Sequence, residues 1–387
     1  MSVPDLPGVL SADDIRATVT TIAADQEPDG LIPWERGKQA DPWDHVEAAM
    51  ALDVGGEHER AAAAYDWLRR HQRPDGSWAS RYAPSAVAAS PSAAVAGPAA
   101  VAASPSAAVT GPAVVAVGPA VVAASPVAFV ADPTAESNHA AYLAVGCWHH
   151  WLSTGDDDFL ARMWPSIRAA LDFVTGLQAP EGEIWWAAGD RIALLTGSSS
   201  IYQALRCGVL IADRVGEPQP DWELAADLLG TAIRDRPEAF ADKGRYSMDW
   251  YYPILGGAIR GQAAHQRITD RWDEFVVPGR GARCVADQPW VTGAETCELA
   301  LALDAMGERS AAEEMVAAMQ HLREKDGSYW TGLVLKDGVR WPVERTTWTA
   351  AAVVLAVDAL HAAHPRSAIF RDAAHPHPRP LGKAAHP

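Results

Sequence analysis

The same short turn comes round four times along this chain: a Gln, a few residues, an acid and a Gly, then an aromatic residue. It reads Gln26-Glu-Pro-Asp-Gly30 with Trp34, Gln72-Arg-Pro-Asp-Gly76-Ser-Trp78, Gln178-Ala-Pro-Glu-Gly182 with Trp185, and a looser Gln320 to Gly327-Ser-Tyr-Trp330. Each follows an Ala-rich helical run, so the unit is a helix that ends in a capped turn and is stapled by an aromatic side chain. Such a unit cannot bury its apolar face alone, and its repetition means neighbours stacked in a ring or solenoid. A ring of helical hairpins encloses a hollow.

Composition trims the chain before the ring is counted. Ala83 to Ala131 contains no Asp, Glu, Lys, Arg or His, and Ala86–Ala99 is repeated by Ala100–Ala113 with one Ala-to-Thr change. Prolines recur there too often for a helix and interrupt each apolar run well short of the roughly 20 residues of a membrane span. It reads as a low-complexity surface insertion. The expected organisation is one toroid domain over 1–372, interrupted by 83–131, followed by a disordered His-Pro-rich tail over 373–387. With 49 acids against 32 bases and a formal charge of -17, the chain repels nucleic acid and anionic lipid. Met1–Leu10 carries two prolines and no charged-then-apolar leader, so a cytoplasmic location is the expectation. Four widely spaced cysteines, Cys147, Cys207, Cys284 and Cys297, point to reduced, buried thiols rather than a disulfide framework or a zinc site.

The remainder reads as helix after helix. Predicted segments are Ser11–Gln26, Asp41 to Gly55, Glu57–His71, Glu136–Leu152, Asp157–Leu177, Ser198–Val215, Trp222–Arg234, Asp249–Ile268, Thr292–Met306, Ser310–Arg323 and Thr346–Ala363. Short connections make neighbours antiparallel, and about a dozen helices close as six hairpins, the (α/α)6 barrel. Several candidate inner helices begin with acids and aromatics: Trp43-Asp44-His45, Trp148-His149-His150-Trp151, Met248-Asp249-Trp250-Tyr251-Tyr252, Trp290 with Glu295 and Glu298, and Trp341 with Glu344 and Trp348. Flat aromatic faces beside carboxylates suit sugar rings or hydrocarbon cations.

Two resemblances follow from these residues. Trp67-Leu-Arg-Arg-His-Gln72-Arg-Pro-Asp-Gly76-Ser-Trp78 resembles the QW motif of terpene cyclases and of the prenyltransferase and squalene-cyclase toroids, where it is a structural staple without catalytic duty. Asp156-Asp157-Asp158 stands after Gly155 and reads as a helix cap, not as a cyclase acid. Phe159 to Phe173, the Gly182–Trp186 turn, and Ser198 to Arg206 resemble the middle hairpins of six-hairpin glycosidases of the glucoamylase type. Trp341-Pro-Val-Glu344-Arg-Thr-Thr-Trp348 resembles the late loop that supplies their general base. In that family the general acid follows a Trp-Glu step. Here Trp185-Trp186 runs into Ala187-Ala-Gly-Asp190, which leaves Asp190, Asp249 or another rim carboxylate for that role.

Hydrolysis of a glycosidic bond needs one protonated and one ionised carboxyl group. Glu344, beside Arg345, is the expected base and Asp249, between Met248 and Trp250, the expected acid, with Glu295 and Asp44 as further catalytic candidates. Trp43, His45, Trp250, Tyr251, Trp290, Glu298, Trp341 and Trp348 are the candidate substrate contacts. Competing roles are plain: Asp44 and Asp249 could cap helices, Glu295 and Glu298 could form a hydrated face, and the histidines could be structural. No metal or cofactor is expected. Three functions stay open: an inverting carbohydrate hydrolase acting on an oligosaccharide or glycolipid head group, an isoprenoid cyclase or prenyltransferase-like enzyme, and a catalytically silent sugar- or lipid-binding toroid. Two facing carboxylates in a polar cleft would favour the first, and a closed apolar tunnel the second.

Overall fold

The structure is a computed structural model that describes residues 3–84 and 130–372. The readings of the tail and of nearly all the insertion lie outside those residues. In chain order come α1 (Ala12–Asp25), α2 (Pro42–Val54), α3 (His58–His71), β1 (Arg81–Tyr82), β2 (Val130–Asp132), α4 (Ser137–Thr154) and α5 (Asp157–Thr175). They are followed by α6 (Leu195–Val215), α7 (Pro220–Asp235), α8 (Ser247–Leu255), α9 (Gly261–Phe275), β3 (Val276–Val277), β4 (Gly281–Arg283) and β5 (Trp290–Thr292). The chain ends with α10 (Gly293–Ala305), α11 (Arg309–Ala318), β6 (Gly332–Val334), α12 (Thr347–His361) and α13 (Ile369–Asp372).

The even-numbered helices from α2 to α12 touch in order, and α12 returns to α2, so an inner ring of six closes. Their sequences dictate that position. Every residue of α2 and of α8 is buried, a demand met only by a helix surrounded on all sides. The outer helices carry a single apolar stripe. On α9 it consists of Ala264, Ile268 and Phe275. The first helix is the outer partner of the last inner one: α1 packs on α12, and Thr18 Oγ1 donates to the Gly327 carbonyl at 2.9 Å.

The repeated turns tie α1 to α3, α3 to α5 and α5 to α7. Gln72 Nε2 donates both to its own loop, at Gly76 O, and to Ser166 O on α5, each at 2.9 Å. Gln178 repeats this with Gly182 O and Ala225 O on α7, and Gln26 with Gly30 O and Arg60 O on α3. Gly76 has φ of +91°, and a Cβ there would stand 2.1 Å from the Ala169 carbonyl oxygen, so both conformation and space require glycine. The fourth turn departs from expectation. Its position equivalent to Gln is Arg323, which bridges to Asp14 of α1 at 2.9 Å, while Gln320 lies earlier and accepts from Tyr329.

Two further readings need correction. The run Asp249–Ile268 is not one helix: it breaks at Gly256-Gly257, where a Cβ on Gly256 would lie 2.2 Å from Ser199 O and Gly257 has φ of +92°. That break turns eleven predicted helices into the twelve that six hairpins need. The chain also contains strands: β1 pairs with β2, and β3-β4-β5-β6 form an antiparallel sheet beside α10. With two or three residues each, they are too short to show alternation.

Candidate active site

The N-termini of the inner helices open on one rim, and two of them, with one rim loop, place carboxylates in a single cleft. Asp44 comes from the first turn of α2, Glu295 from the first turn of α10 and Glu344 from the loop leading into α12. Trp34, Trp290, Pro342 and Trp348 line the same cleft with Thr292, Thr331 and Thr346. Local chain chemistry accounts for the placement. Asp41 caps α2, its Oδ1 accepting from the Asp44 amide at 2.9 Å, so the cap is filled and the Asp44 side chain is left to the cleft. Trp290, on β5, donates through Nε1 to the Trp341 carbonyl at 2.7 Å, and the two indoles meet edge to face at 4.6 Å. Glu344 is pinned through its own carbonyl, which accepts from the Thr331 amide at 3.1 Å.

Burial pushes the Asp44 carboxyl well above the usual range, and Asp41, Glu47, Glu298 and Glu344 push it further by like charge. Glu344 is raised by burial and by Glu35, with Lys38 opposing. Burial raises Glu295 as well, against the Cys284 thiol and the Thr292 hydroxyl. Oε2 of Glu295 and Oε1 of Glu344 are buried and accept no hydrogen bond among the described residues. Buried acceptors of that kind suit a sugar hydroxyl or an attacking water.

Beneath the cleft lies a second layer of acid. Glu47 stands one turn below Asp44 on α2, and Glu298 one turn below Glu295 on α10. Trp43 Nε1 and Tyr142 OH both donate to Glu47 Oε1, at 3.0 and 2.9 Å. Tyr252 OH donates to Glu298 Oε1 at 2.8 Å, and Tyr251 OH donates to its other oxygen. The Trp43 ring bridges the two groups, with centroids 5.2 Å from Tyr142 and 5.5 Å from Tyr252. The hollow is therefore polar at its upper end, which is the character expected of a carbohydrate site and not of a tunnel for a polyprenyl chain.

No family model matches the chain. Its sequence is 51% identical, over 374 residues covering 96% of this chain and 92% of the relative, to an MMP endo-(1,4)-3-O-methyl-alpha-D-mannosidase of Mycolicibacterium hassiacum. The chain belongs to that family of glycoside hydrolases. Solved structures agree on the fold. A glycosidase variant in complex with glucose superposes with a TM-score of 0.65 at 14% identity, covering 90% of this chain and 96% of that one. The GH63 mannosylglycerate hydrolase of Thermus thermophilus gives 0.62 at 13% identity over 88% and 99%. The resemblance to six-hairpin glycosidases is thus borne out for both fold and activity class.

Within this glycosidase the predicted site residues divide. Asp44, Glu295, Glu344, Trp290 and Trp348 meet in the cleft, and Trp43 and Glu298 lie in the layer beneath it. Tyr251 is wholly buried, so it serves Glu298 and is out of reach of substrate. Trp341 stands at the mouth, partly exposed, against Trp290. His45 is structural: the Ile32 amide donates to its Nδ1 at 3.0 Å, Nε2 lies 2.9 Å from the Ala64 carbonyl, and burial lowers its pKa to about 4, leaving a neutral ring with no face for sugar. Trp250 is packing too, stacked on Phe275 at 5.0 Å with its N–H on Arg267 O. Asp249 does not line the cleft. Its Oδ1 accepts from Thr196 Oγ1 at 2.6 Å and from the Thr196 amide at 3.3 Å, tying α8 to α6. Arg345 does not hold Glu344 ionised, because it points away to Asp326 at 3.2 Å and Ser328 at 3.0 Å, over the Trp330 ring.

Sequence reasoning missed Trp34, Glu47 and Tyr142. The signal for Glu47 was present, since Trp43, Asp44 and Glu47 share one helical face at spacings of three and four. At the opposite end of the barrel the histidines of α4 find a structural use. His150 Nδ1 and His58 Nδ1 each lie 2.9 Å from Asp53, and His149 Nδ1 lies 3.9 Å away. Burial alone would raise Asp53, but these imidazoles hold its carboxyl far below the usual range.

Proposed function

We propose that the protein cleaves internal α-(1,4) bonds of a 3-O-methylmannose polysaccharide with inversion, Asp44 acting as general acid and Glu344 as general base. The observation that carries this reading is the meeting of Asp44 and Glu344 in one aromatic-walled cleft, close enough that Glu344 is among the charges that raise Asp44. The protonated Asp44 gives its proton to the glycosidic oxygen as the bond to the anomeric carbon lengthens. Glu344 takes a proton from a water that attacks that carbon from the opposite face, so Asp44 ends ionised and Glu344 protonated. Glu344 suits the base role because it stands at the rim, less buried than Asp44, and Lys38 opposes the rise that burial and Glu35 impose on it, whereas Asp44 is buried and raised further by four like charges. Trp34, Trp290 and Trp348 suit a methylated sugar, which offers an indole one more methyl group and one fewer hydroxyl than mannose. The substrate class is that of the relative, named as an endo-(1,4)-3-O-methyl-α-D-mannosidase.

The test is a digest of methylated and unmethylated α-(1,4)-mannooligosaccharides by wild type, Glu344→Gln and Glu295→Gln. Wild type is expected to shorten the methylated chain from within. Glu344→Gln should lose about 10²- to 10⁴-fold in kcat, and Glu295→Gln less than about tenfold. Collapse of Glu295→Gln with survival of Glu344→Gln would move the base to Glu295, and an uncut methylated chain would refute the substrate.

A further inference from the structure

Water meets an apolar ridge at the lip of the cleft. Among the described residues seven large apolar side chains are exposed, and three of them, Val339, Trp341 and Val343, fall within five positions of the loop that leads to Glu344. Single exposures of this kind are ordinary, but a cluster marks a surface that something covers.

Strand pairing joins the ridge to the cleft. β5 pairs with β6 so that Thr292 stands opposite Gly332 and Trp290 opposite Val334. The chain then turns and runs back along β6, the Val334 amide donating to the Val339 carbonyl at 2.9 Å and the Trp341 amide to the Gly332 carbonyl at 3.1 Å. Residues opposite one another, and residues two apart, share a face of a sheet. Thr292, Trp290, Val334, Val339 and Trp341 therefore lie on one face, and Val291, Leu333 and Arg340 on the other. The second face is structural: Val291 and Leu333 belong to the main core, and Arg340 donates to the His321 carbonyl at 2.6 Å. The first face begins in the cleft, whose wall includes Thr292 and Trp290. Gly332 keeps it open, because a Cβ there would stand 2.4 Å from Trp290 Nε1 and bar that indole from the Trp341 carbonyl. Two strand spacings carry the face about 10 Å out from β5, further than one pyranose ring reaches. It bears no charged side chain from Thr292 to Val339. Val343 follows between Pro342 and Glu344, which both line the cleft.

We infer that this sheet face, with Val343 beside it, is an outlying platform for the methylated mannose units next to the one being cut, an inference that rests on the reading of the protein as an endo-acting methylmannosidase. A chain cut from within must leave the cleft over its lip, so the occupant is continuous with the substrate already placed in the cleft. Each 3-O-methyl group replaces a hydroxyl with an apolar cap, and successive units offer valine and indole a surface that plain mannose lacks. A neutral sugar also brings no charge for an uncharged face to meet. The platform contributes binding and leaves bond cleavage alone, so its effect grows with chain length and falls on KM.

The experiment measures kcat and KM for wild type and for the double variant Val339→Ser, Val343→Ser, with the sedimentation of each protein. The substrates are a methylated α-(1,4)-mannose tetrasaccharide, a methylated octasaccharide and an unmethylated octasaccharide. Both valines are exposed, so the variant should melt with wild type. Wild type is expected to have a lower KM for the methylated octasaccharide than for the tetrasaccharide, and the variant to lose about three- to tenfold of that advantage at unchanged kcat. On the unmethylated octasaccharide the two proteins should agree. An equal length advantage in both proteins, or a loss shared by methylated and unmethylated chains, would overturn the inference. So would a wild type that self-associates through the patch, with the variant monomeric and its KM unmoved. If wild type cuts the methylated octasaccharide from within and the variant keeps the advantage, the platform alone fails. A methylated octasaccharide left uncut by wild type would instead remove the substrate reading beneath it.

Discussion

Asp44→Asn is expected to lose about 10²- to 10⁴-fold in kcat/KM on an oligosaccharide while melting no lower than wild type. The two halves have one cause. Asp44 sits buried among Asp41, Glu47, Glu298 and Glu344, so its charged form is disfavoured and its presence stores repulsion in the folded state. An amide of the same shape removes that repulsion and with it the transferable proton. Activity and stability therefore move in opposite directions, as they do where a site is held at the expense of the fold. Steady-state rates and thermal melting of the same preparation check this, and a nitrophenyl leaving group should recover most of the lost rate. Loss of activity with an equal fall in melting temperature on both substrates would make Asp44 a structural residue.

Arg366→Ala is expected to destabilise the fold by about 3–5 kcal/mol, read by denaturant titration. Asp358 of α12 and Arg366 form an ion pair at 3.1 Å with side chains 3% and 0% exposed, and Ser367 Oγ donates to the other Asp358 oxygen at 2.9 Å. Truncating the arginine strands a carboxylate with nothing of opposite sign in its place, which costs more than the pair itself contributes. Arg366→Met with Asp358→Leu should recover most of the loss, because the stranded charge goes with it. The pair lies at the far end of the barrel from the cleft, so kcat measured well below the melting transition should not change. A loss under about 1 kcal/mol would mean that water reaches Asp358.

The ring was legible because its instructions are local. Gln72, Asp75 and Gly76 specify a turn within five residues, and inner helices such as α2 and α10 announce themselves by apolar residues on every side. The break at Gly256-Gly257 was hidden because both sides of it read as helix, and only the neighbouring Ser199 carbonyl shows why no side chain fits. The site was half legible. Aromatics and acids clustered at helix starts marked the rim, and Asp44, Glu295 and Glu344 were all among the candidates. The sequence could not say which carboxyl is a cap. Asp41 took that task from Asp44, while Asp249 spent its own oxygen on Thr196, a partner 53 positions away. Nor could chain adjacency foretell direction: Arg345 follows Glu344 and still faces the other way.

The decisive measurement is a crystal structure of Asp44→Asn with a methylated α-(1,4)-mannose tetrasaccharide bound. The expected result has the sugar threading between Trp34, Trp290 and Trp348, a glycosidic oxygen within hydrogen-bond reach of residue 44, and a water held by Glu344 on the opposite face of the ring, as the roughly 6.5 to 9.5 Å spacing of inverting carboxylates allows. A saccharide seated against Asp249 with the cleft empty, or one whose anomeric carbon lies directly against Glu344 with no room for water, would contradict the assignment made here.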